Sequence, residues 1–115
     1  MAVTQSAKFK INFGDLFLYL SDINTEHKKT LIFIKHIIDN SDEIELITNF
    51  IKDTKIYWLD IINKNIKIFE QINILIDKLP VSINLYSILN VLNPDEIEII
   101  WSYLNSLINI IKKSL

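Results

Sequence analysis

Three groups of residues in this chain have side chains that could do chemistry. His27 and His36 stand nine residues apart on what reads as one helix. That spacing is two and a half turns, whereas two ligands of one metal ion on a helix stand three or four apart. A shared ion is not expected, and neither histidine lies near a glycine-flanked serine of the kind a nucleophile elbow needs. Asp95, Glu96 and Glu98 form an acidic cluster, as do Asp42, Glu43 and Glu45. Consecutive helix positions point around the helix and not into one cleft, so helix capping and the helix dipole account for both clusters. No catalytic grouping is left, and the chain reads as a non-enzyme without a cofactor or metal.

The third group is aromatic. Tyr57, Trp58, Trp101 and Tyr103 are residue types that dominate interface energetics. Trp101 falls within an apolar helical stripe and reads as core. Ile99, Tyr103 and Ile110 fall off that stripe, which makes the C-terminal helix apolar on more than one face. In a small domain such a helix is either covered all round or partly exposed for a partner. Ile99, Tyr103, Ile110, Tyr57 and Trp58 are therefore the candidate partner-binding residues, with another protein or a second copy of the chain as the partner.

Composition narrows the alternatives. A single glycine leaves no phosphate-cradling loop of the P-loop or dinucleotide type, and the absence of cysteine removes disulfides, thiol catalysis and thiolate metal sites. All twelve basic residues are lysines and the net charge is −2. Without arginine, whose planar fork reads guanine and phosphate, a nucleic-acid partner is not expected. Apolar runs are broken by Asn, Lys, Asp or Glu well short of the roughly 20 residues that cross a bilayer, so no membrane span is expected. Gly14-Asp15 interrupts the first apolar patch, and no signal peptide is read. Cysteine-free composition permits an intracellular setting, and the abundance of Ile, Asn and Lys matches codons rich in A and T.

The elements that must position these residues are helical. Half of the 115 residues are hydrophobic, with one glycine and two prolines, too few for the turns of a sandwich or barrel. Phe9, Phe13, Leu16, Phe17 and Leu20 form one amphipathic stripe. Ser21 to Thr25 read as a turn, Leu31, Ile34 and Ile38 as a second helix ending at Asp39. Asn40 and Glu43 are spaced like a capping box opening a third helix with Ile44, Ile47, Phe50 and Ile51. Asn63-Lys64-Asn65 reads as a break. Residues 66–76 fit both a helix and a short strand of alternating isoleucines, with helix preferred because a lone strand leaves its backbone unpaired. Leu79-Pro80 ends that region, and Ile83 to Asn90 reads as a short helix. Asn93 as N-cap, Pro94 at the first helical position and Glu96 at N3 open the last helix. Its stripe is Ile97, Ile100, Trp101, Leu104, Leu107, Ile108 and Ile111.

The expectation is one all-α domain over residues 1–115, a single compact bundle of about five to six helices. The C-terminal helix is expected to be the longest and central, and residues 1–6 flexible.

Both ends resemble a family of small helical proteins encoded by nucleocytoplasmic giant DNA viruses. The likeness is carried by Ser6 to Leu16, by Leu85 to Leu89, and by Asn93-Pro94-Asp95-Glu96 with the run Ile99 to Leu107. Ile100, Trp101, Tyr103, Leu104 and Leu107 occupy an Ile-Trp-x-Tyr-Leu-x-x-Leu pattern typical of that family. The resemblance implies a viral source, residence in the host cytoplasm or the virus particle, and no catalytic residue. With the many-sided apolar C-terminal helix and the lack of a catalytic grouping, the expectation is a non-catalytic interaction or assembly module, a minor virion or virus-factory protein, with a homodimer among its expected forms. The alternative is a host-directed regulator that holds an amphipathic partner helix in a groove.

Overall fold

Thr4 opens the first helix: its side chain accepts a hydrogen bond from the Ala7 amide at 3.1 Å. The computed structural model describes residues 4–65 and 91–114. Helix α1 spans Gln5–Ile23, α2 Lys28–Asp39 and α3 Glu43–Thr54. A 3-10 turn, Lys55–Tyr57, leads into the short α4, Trp58–Ile62, and α5 spans Pro94–Ser114. Every regular element described is helical. Four helices reach twelve residues or more, fewer than the five to six expected. The helix-or-strand choice at 66–76, the break at Leu79-Pro80 and the short helix over Ile83 to Asn90 lie outside the described residues.

The α5 capping box forms in full. The Glu96 amide donates to Asn93 Oδ1 at 2.8 Å, and the Asn93 amide donates to Glu96 Oε1 at 3.1 Å. Two otherwise orphaned donors of the first turn are thereby satisfied. At α3 the expected box is displaced. Asp42, not Asn40, is the N-cap and accepts from the Glu45 amide at 2.9 Å. Asn40 instead finishes α2, its side-chain amide donating to the His36 carbonyl. On α3, Leu46, Phe50 and Thr54 are buried while Ile44 is 64% exposed.

The break at Asn63-Lys64-Asn65 takes a definite form. Lys64 adopts a left-handed φ of 59°. Its amide donates to the Ile61 carbonyl, and the Asn65 amide reaches back to Asp60. This is a Schellman ending with lysine where glycine is usual. The Lys64 ammonium also reaches Glu98 of α5 at 2.7 Å, but both side chains are about half exposed, so this pair contributes little.

α5 is the longest helix described, yet α1 is the hub. α1 packs most extensively on α2 and α5 and also on α3, whereas α5 packs chiefly on α1 and α4. The reason lies in α1's wide buried face of Phe9, Phe13, Leu16, Phe17 and Leu20, which turns toward three neighbours. Gly14 allows α2 close: a Cβ there would stand 3.2 Å from Asp39 Oδ1. Ser6, on the segment expected to be flexible, donates to Glu43 of α3 at 2.9 Å. The radius of gyration, 13.4 Å, matches the ~13 Å of a compact domain of about this length.

Candidate functional site: the seam between α1 and α5

Along the seam, α1 and α5 leave a shallow trough of about 320 Å³, lined by Asn12, Ile99, Ser102, Tyr103 and Ser106. Helical spacing explains the lining. Ile99, Tyr103 and Ser106 follow one another by four and three on α5, to one side of the buried stripe of Ile100, Leu104, Leu107 and Ile111. Asn12 and Tyr19, seven apart, stand on one line of α1 beside its phenylalanines. Tyr19 and Tyr103 meet across the seam, with ring centroids 6.0 Å apart and planes tilted by 37°.

Polar groups at this face are largely turned inward. Asn12 donates to the Lys8 carbonyl and Ser102 to the Glu98 carbonyl. The trough therefore presents mainly apolar atoms, and Ile99 in its lining is 42% exposed. Among the described residues, Tyr19 has a perturbed titration. Its phenol is raised above its ordinary range by desolvation, then by the Glu96 carboxylate and by Tyr103.

Of the five candidate residues, the structure brings Ile99 and Tyr103 together in this trough. Ile110 differs from expectation: it is only 9% exposed and belongs to the core, so it offers no surface. Tyr57 and Trp58 stand elsewhere, in the turn after α3, half-buried against the core. Trp58 Nε1 donates to Thr54 Oγ1 at 2.9 Å, and Thr54, itself buried, donates to the Phe50 carbonyl at 2.6 Å. Trp58 thus fixes the α3–α4 corner. Asn12, Tyr19, Ser102 and Ser106 escaped the sequence reading; their helical lines are visible in the sequence, but the pairing of α1 with α5 is not.

The histidines do not meet. His27 occupies the N-cap position of α2 without a side-chain capping bond, its amide donating to Asn24 Oδ1 at 2.9 Å. His36 lines a second trough of about 460 Å³ with Phe33, Ile37, Asn40 and Ser41. Among the described residues no group of three or more His, Asp or Glu side chains is placed to hold a metal ion. The acids are spread over separate tasks: Glu96 caps α5, Glu98 meets Lys64 and Glu43 accepts from Ser6. Among the described residues no helix is long and apolar enough to cross a membrane.

Fold and site together define a compact all-helical protein with an apolar, tyrosine-edged seam. No family model, curated protein or solved structure matches the chain.

Proposed function

We propose that the chain is a non-catalytic helical interaction or assembly module whose partner docks on the α1–α5 seam. The observation that carries this reading is the trough, with the exposed Ile99 and the half-buried Tyr103 in its lining. Large apolar side chains grouped on one face cost solvation unless a partner covers them. The giant-virus resemblance at the two ends adds a setting, a minor component of a virus particle or virus factory in the host cytoplasm. A second reading, a regulator holding a partner helix, draws on the trough beside Phe33 and Ile37 on α2.

A photo-crosslinking residue at Ser102, in the full chain expressed in cells, tests the choice. The seam reading expects protein adducts from Ser102 that are lost when Ile99→Asp is added. Adducts from a probe at Phe33 with none from Ser102 would instead favour the second reading. Silence at both positions would remove the interaction role.

A further inference from the structure

The seam carries its charges at opposite ends. α1 and α5 run antiparallel along it: Tyr19, late in α1, interacts with Glu96 in the first turn of α5 and with Tyr103 at its middle, whereas Asn12, two turns earlier, shares the trough with Ser106. At about 100° per residue, Lys8, Asp15 and Asp22 fall on the solvent side of the Asn12–Tyr19 line. On α5, Asp95 and Lys113 fall on the line of Ser102 and Ser106, five turns from one another. One end of the face is therefore acidic, with Asp22, Asp95 and Glu96, and the other basic, with Lys8 and Lys113, while Asp15 stands midway. The ion pairs described, Lys35 with Asp39 and Lys64 with Glu98, involve none of these six residues.

A pattern that is acidic at one end and basic at the other is its own complement after a half-turn. We infer that the partner on the seam is a second copy of this chain, docked antiparallel about a two-fold axis that lies in the interface plane, perpendicular to the long direction of the trough. This inference rests on the seam being an interaction surface, and it names the occupant. The two-fold places the acidic end of each copy over the basic end of the other, and both contacts recur by symmetry. A parallel arrangement would superpose like charges, which costs several-fold in affinity at each end. Ile99 and Tyr103 from both copies would be covered between the charged ends. The strip is narrow, so the dimer belongs with small, weak interfaces.

Light scattering behind size-exclusion chromatography, on the full chain from about 10 µM to 1 mM, reads the inference directly. The mass should climb from 13.5 kDa toward twice that value. Asp22→Lys with Asp95→Lys turns the acidic end net basic, with Glu96 its one remaining acid, and Lys8→Glu with Lys113→Glu makes both ends acidic. Each double variant alone should associate at least about tenfold more weakly, and an equimolar mixture of the two should recover a dimer. A monomer at every concentration, or variants that associate like the parent with no gain on mixing, overturns it. The Ser102 crosslink separates this failure from that of the seam reading. An adduct of twice the chain mass supports the second copy, adducts with other proteins only overturn it while keeping the seam, and no adduct overturns both.

Discussion

Phe9, Phe13 and Phe17 project from α1 into a sealed cluster with Phe50 of α3, while Tyr19, two residues further along the same helix, meets Tyr103 of α5 at an open seam. Phe9 and Phe13 lie 5.3 and 5.7 Å from Phe50 in edge-to-face geometry, and all four phenylalanines are at most 4% exposed. The tyrosine pair is half-buried. Edge-to-face rings stack the positive rim of one against the negative face of another and need no water. A phenol carries a hydroxyl that wants a partner, so it is placed where water or another molecule can supply one. The same helix thus supplies a dry cluster for stability on one face and a wettable aromatic edge for recognition on the next.

The largest effect should come from the sealed side. Phe13→Ala removes a ring in contact with Phe9, Phe17 and Phe50 at centroid distances of 5.5 to 5.7 Å. Burial this complete puts the loss at about 3–5 kcal/mol, a large part of the roughly 5–15 kcal/mol that holds a domain together. Urea unfolding followed by far-UV circular dichroism measures it. A loss under about 1 kcal/mol would mean that the cluster is not the stabilising centre described here.

Much of the sealed side was legible because burial on a helix writes itself as a period. The stripe Phe9-Phe13-Leu16-Phe17-Leu20 and all but one member of the α5 stripe are buried as read, Ile97 being only half-buried. The Asn93-Pro94-Glu96 start was legible for the same local reason, since a capping box joins residues three apart. Where two local solutions compete, the sequence is ambiguous. Asn40–Glu43 and Asp42–Glu45 both have capping spacing, and the second wins because Asn40 is engaged by the preceding helix. Ile110 shows the limit of a single stripe: it lies off the expected line yet is buried, because a helix packed on more than one side buries a wider arc. The hub role of α1 and the trough itself depend on which helices neighbour each other, and periodicity carries no record of that. Of the candidate site, Ile99 and Tyr103 were visible on α5; Ser102, Ser106 and the α1 side were not.

Tyr103→Ala sharpens the contrast from the open side. The ring is half-buried and its aromatic contact is with Tyr19, so the expected loss is about 1–2 kcal/mol, well below that of Phe13→Ala. The same denaturant experiment reads it. A loss as large as that of Phe13→Ala would show that the seam is part of the core and not a surface kept for a partner.

The smallest effect is a change of slope. Tyr19 has its phenol raised from 10.0 by desolvation, with Glu96 and Tyr103 adding to it, so the folded protein holds that proton more tightly than the unfolded chain. The contribution is fully present below the ordinary phenol value and is lost as pH rises through the raised one. Wild-type stability should therefore fall more steeply than that of Tyr19→Phe as pH climbs above 10.0. Lysines and the other tyrosines titrate in both proteins, so the difference between the two curves isolates Tyr19. Deprotonation there also places a phenolate beside Glu96, at the acidic end of the seam, and like charges so close disfavour a closed pair of helices. Parallel curves would mean that Tyr19 is as free of Glu96 and Tyr103 as in the unfolded chain, and the open seam would then lack the electrostatic contact that sets it apart from the phenylalanine cluster.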